Sequence, residues 1–119
     1  MSYDLAVWEG EYPADAETAT KFYLERIVPQ LEEYDPGNAV PPTPRIRTYV
    51  EALLERWPDI DTTEGSPWAT SPLMGEAIGL FFYFPMVGSM ADAASAYAAD
   101  VAQRHGLVCY DPQLERLRP

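Results

Sequence analysis

The sequence predicts a single αβ domain over residues 1–119, α/β or α+β in class. It would hold a small three- to four-stranded, mainly parallel sheet packed with three helices, in the order β-α-α-β-α-β. Three observations predict this. Short segments rich in aromatic and β-branched residues stand at Tyr3–Trp8, Leu80–Phe84 and Leu107–Tyr110. Between them lie stretches whose apolar residues recur every three or four positions. Helical crossovers between strands favour parallel neighbours.

The first strand has apolar residues on both faces, Leu5 and Val7 on one and Ala6 and Trp8 on the other, so it is expected to be covered on both sides. Pro13 to Glu33 reads as a helix with Ala16, Ala19, Tyr23, Ile27 and Leu31 on its buried stripe. Pro29 predicts a kink or break near Val28, because its ring removes an amide and meets the preceding turn. Residues 34–42 read as a loop. The second helix has Thr43 as its cap and Pro44 at its first position. Ile46, Tyr49, Val50, Leu53, Leu54 and Trp57 mark its inner face, and Pro58 ends it.

Asp59 to Gly79 reads as a long irregular segment with room for a short strand; loops of this length are often functional. Leu80 to Phe84 is continuously apolar, the pattern of a strand buried on both faces. Ser89 and Asp92 resemble a capping box for the third helix, and Gly106 is placed to follow its last turn. Asp111-Pro112 reads as a turn that stops the last strand, and the charged tail to Pro119 as loose.

Charge is the strongest functional signal. Nineteen acidic residues against eight basic ones give a formal net charge of −11, spread from Asp4 to Glu115. Such a body repels nucleic acid and anionic membranes and speeds encounter with basic partners. The single cysteine, Cys109, excludes an internal disulfide, and the start carries no basic and apolar leader pattern. A cytoplasmic protein is the expectation. Cys109 is read as a buried, unreactive thiol and the lone His105 as a complement to a helix terminus. No phosphate-binding glycine frame and no Cys/His metal pattern is present, so neither cofactor nor metal is assigned.

Glu9, Glu11 and Asp111 follow predicted strands and would converge if all strands ran parallel. Together they form the alternative reading, a small enzyme or ligand-binding domain with a carboxylate site. A structural or oligomerisation module is the other alternative. The partner-binding residues predicted from the two connecting loops are Glu32, Glu33, Asp35, Asp59, Asp61 and Glu64, with Trp68 as an aromatic anchor. Tyr12 and Tyr34 are further aromatics in polar surroundings.

The ends of the chain carry a resemblance. The opening Ser2-Tyr3-Asp4-Leu5 with Trp8, and the closing Tyr110-Asp111-Pro112-Gln113, resemble a loose group of small bacterial proteins of actinobacterial type. Some members resemble immunity proteins of polymorphic toxin systems, which bind and block a cognate toxin. The resemblance covers the two terminal strands and transfers no catalytic residue. It implies an inhibitor of a cognate toxin; the charge adds that the partner is basic, that nucleic acid and membranes are not partners, and that the chain is a monomer or weak dimer.

Overall fold

The computed structural model describes residues 2–33, 37, 40–60 and 65–118. Its centre is a five-stranded sheet built of β1 (Ser2–Trp8), β2 (Ala77–Ile78), β3 (Phe81–Val87), β4 (Val108–Asp111) and β5 (Arg116–Leu117), in the order β2-β3-β1-β4-β5. Every hydrogen-bonded pair is antiparallel. This corrects the expected mainly parallel sheet. β3 and β4, joined by a helix, do run in the same direction, as a helical crossover favours. They are not neighbours, however, because β1 lies between them and runs the other way, making a split β-α-β unit. Ser2 stands opposite Val87 and Trp8 opposite both Phe81 and Val108.

Alternation along β1 sorts the core into two layers. Leu5 and Val7, with Phe82, Phe84, Met86 and Cys109, pack against helices α3 (Pro44–Arg56) and α4 (Ala91–Arg104). Ala6 and Trp8, with Phe81, Val108 and Tyr110, pack against Ala19 and Ile27 of the first helix. The strand is covered on both faces, as its sequence predicts.

The first helix begins as α1 (Ala16–Phe22), capped by Asp15, whose carboxylate accepts the Thr18 amide at 2.8 Å. It passes through a π-helical turn, Tyr23–Ile27, into α2 (Val28–Glu32). The Val28 amide bonds the Tyr23 carbonyl, five residues back. Pro29 follows at once, so the wider turn sits where a proline would otherwise strike the Glu25 carbonyl. The expected irregularity is present as a π turn rather than a break.

α3 starts as predicted, with the Thr43 hydroxyl accepting the Ile46 amide at 3.3 Å and Pro44 in the first turn. Ile46, Tyr49, Val50 and Leu53 are buried. The start of α4 differs from expectation. A 3₁₀ turn, Gly88–Met90, leads into it, Met90 is the cap residue, and no side chain caps it, so Ser89 and Asp92 form no capping box. Its end follows the sequence reading. The Leu107 amide bonds the Ala102 carbonyl at 2.9 Å and the Gly106 amide the Gln103 carbonyl at 3.1 Å, with Gly106 at φ +70°. These are the two bonds of a Schellman motif.

The stretch from Gly65 to Glu76 forms a strap along β3. Trp68 bridges Met86, the Ala69 amide reaches the Pro85 carbonyl at 3.1 Å, and the Val87 amide reaches the Pro67 carbonyl at 2.7 Å. The strap covers one half of the β3 edge while β2 pairs with the other half. The tail is not loose, because β5 pairs with β4 and the Arg118 amide bonds the Cys109 carbonyl at 2.8 Å.

Candidate functional site

The antiparallel sheet separates the three carboxylates expected to converge. Glu9 and Glu11 follow the end of β1, whereas Asp111 ends β4 beside the start of β1, where Tyr3 meets it. At about 3.3 Å per residue the two groups stand more than ~10 Å apart along the sheet. The alternative carboxylate site built from Glu9, Glu11 and Asp111 is therefore not assembled. Among the described residues, no group of three or more His, Cys, Asp or Glu side chains is arranged to hold a metal ion.

Asp111 is instead a buried acceptor, not a solvated turn residue. Its Oδ2 accepts the Tyr3 hydroxyl and lies 3.4 Å from Arg118 Nη1. Its Oδ1 accepts the Gln113 amide at 3.0 Å, the Gln113 side-chain amide at 2.8 Å and the Leu114 amide at 3.2 Å. Burial works against the carboxylate, but the donors from Tyr3, Gln113 and Leu114 and the Arg118 charge outweigh it and hold its pKa below the usual range. Arg118 also donates to Ser95 Oγ at 3.2 Å, which reaches α4. The Gln113 side chain accepts the Asp4 amide and donates to the Asp4 carbonyl, both at 2.7 Å, so it serves as one more strand partner for β1. The two terminal motifs of the sequence thus bind each other, and their polar residues are spent on the fold.

The predicted contact residues scatter. Glu32 and Glu33 are exposed at the end of α2. Leu31 there shares a hollow of about 220 Å³ with Gly75, Glu76 and Ile78, so α2 ends beside the strap. Asp59 is half-buried and its Oδ1 accepts the Leu73 amide at 2.8 Å, which makes it a strut of the strap. Asp35, Asp61 and Glu64 lie outside the described residues, as does Tyr34. Trp68 is fully buried rather than an exposed anchor. Its indole N–H donates to the Trp57 carbonyl at 2.6 Å, and its ring meets those of Trp57 and Phe84 edge-on.

The hollow that gathers exposed aromatics and carboxylates lies at the end of β1. Trp8, Glu9, Gly10, Glu11, Tyr12 and Pro13, together with Thr18 and Phe22 of α1, line an open hollow of about 470 Å³. Trp8 is its floor, with the Phe22 ring 5.0 Å away. Tyr12 is 54% exposed and Phe22 37%. The Glu9 carboxylate accepts the Thr43 hydroxyl and lies 3.8 Å from Arg45 Nε, which anchors the loop to the start of α3. Glu11 is exposed and pairs with no described residue. Comparison with known proteins returns no matching family model, no matching curated protein and no matching solved structure. Glu9, Glu11 and Tyr12 stood out in the sequence; Phe22 did not, and its signal was an aromatic at the margin of the stripe marked by Ala19 and Tyr23.

Proposed function

We propose that this chain is an acidic protein-binding module that engages a basic protein, most sharply an immunity protein that occupies and blocks a cognate basic toxin. The observation that carries the reading is the unneutralised surface charge. Few of the acids behind the net charge of −11 are locally neutralised, because the described residues form three ion pairs, Arg45–Glu9, Arg104–Asp100 and Arg118–Asp111. Asp111 alone among the described acids is buried; the others face solvent wholly or in part. A potential of this sign steers a basic protein toward the surface and disfavours phosphate-bearing ligands.

The test is a pull-down from the source organism with the tagged protein at about 20 mM salt, repeated at about 0.5 M, where screening is within a few ångströms. We expect a basic protein to be retained at low salt and released at high salt, and its toxicity in a host to be relieved by co-expression of this chain. Retention of no basic protein at either salt, or unrelieved toxicity, overturns the proposal.

A further inference from the structure

We propose that the hollow at the end of β1 is where an arginine side chain of the basic partner docks, its guanidinium lying over the Tyr12 and Phe22 rings and pairing with Glu11. The inference rests on the reading that the partner is a basic protein, and it assigns the contact. The lining supplies both halves of what a guanidinium recognises, an aromatic surface and a carboxylate. Phe22 packs its half-exposed ring 5.0 Å from that of the buried Trp8 at the floor of the strand–helix junction, and Tyr12, which also lines the hollow, is exposed. The volume of about 470 Å³ lies within the ~300–1,000 Å³ typical of pockets that enclose a small ligand.

The local charges favour a cation through Glu11. Arg45 faces Glu9 at 3.8 Å, so an incoming cation would compete with it there. Glu11 has no partner among the described residues, and pairing with it displaces no internal contact. Lys21 lines a separate hollow with Leu24 and Glu115 and does not border this one. A second copy of the chain is a poor occupant, since two bodies of charge −11 repel. Arginine suits the place better than lysine because its flat, weakly hydrated head stacks on rings and forks onto a carboxylate.

The direct test is an NMR titration of the full chain at low salt with a capped Gly-Arg-Gly peptide, with Gly-Lys-Gly and the neutral citrulline analogue as controls. The expected result is shifts centred on the Trp8 indole, Gly10, Tyr12 and Phe22, larger for arginine than for lysine and absent for citrulline. Glu11→Gln and Tyr12→Ala, both at exposed positions, should each weaken the arginine peptide about two- to five-fold. Shifts spread evenly over the acidic surface, or unchanged by both variants, overturn the assignment. Concentration-dependent dimerisation abolished by the same variants does so too, by making the second copy the occupant. The pull-down separates the two levels. If the double variant retains the basic protein as well as the unaltered chain does, the hollow is wrong while the partner reading stands. If the unaltered chain retains none, the partner reading itself is lost.

Discussion

At the scale of single residues, the chain uses its polar groups to hold itself together where its motifs are most conspicuous. Asp111 carries the largest share. Removing its charge leaves Arg118 facing Tyr3 and Ser95 with no counter-ion. Asp111→Asn should therefore cost about 3 kcal/mol in urea unfolding. The pH dependence has a definite sign. The folded pKa lies below the unfolded value of ~3.9, so the stabilisation is complete above that pH and is lost as pH falls through the folded pKa. The difference in stability between the unaltered chain and Asp111→Asn should be constant near neutrality and shrink below about pH 4. A difference that grows on acidification would contradict this account. Cys109 illustrates the opposite case. Burial pushes its thiol up to about 12, and the side chain is buried within the α3–α4 layer of the core. A thiol reagent at pH 8 should label it only as fast as the protein opens, with full labelling in denaturant. Prompt labelling of the folded chain would show that the β4 layer is not closed.

Among the elements, the strap beside β3 has the most to do. Trp68 brings it under α3 through the Trp57 carbonyl, and the rings of Trp57, Tyr97 and Phe84 surround that contact. Trp68→Ala should cost about 3–5 kcal/mol, as removal of a buried tryptophan does. Hydrogen exchange at the Ala69 and Val87 amides should rise with it, because both bond across the strap. A loss below about 1 kcal/mol would place Trp68 outside the cooperative core. The sequence disclosed elements to different depths. α3 was legible in full because cap, proline and apolar stripe all agree. The Schellman end of α4 was legible from Gly106. β2 answers to the room for a short strand in Asp59–Gly79 but its position was not legible, and β5 was not legible at all, since strands of two residues carry no alternation. Trp68 reads as exposed because polar neighbours such as Ser66 suggest a surface loop, whereas Ser66 is itself buried and its Oγ accepts the Trp68 amide at 3.3 Å.

Over the whole molecule, strand direction was the feature the sequence concealed. Local patterns report how a strand is covered, not which strand lies beside it. The rule for helical crossovers holds for β3 and β4, yet β1 fills the gap between them, and only the tertiary structure shows that insertion. The same insertion undid the carboxylate convergence, while the aromatic and acidic hollow survived because Trp8, Glu9, Glu11 and Tyr12 lie together along the chain. Net charge acts at this scale as well. Self-repulsion among the surface carboxylates opposes the folded state, so the urea midpoint should rise as salt goes from about 10 mM to about 0.5 M. Binding of a basic partner should weaken over that range. A midpoint that falls with salt would mean that the ion pairs outweigh the repulsion.

The placement of β1 has a consequence for how the chain is made. This strand leaves the ribosome before both of its neighbours, since β3 and β4 are synthesised only after α3 and the strap. Until Phe81–Val87 has emerged, β1 has neither neighbour, and its apolar faces must wait beside nascent helices or a chaperone. The sheet is then completed late and over long sequence separations, which is the topology of slow folding.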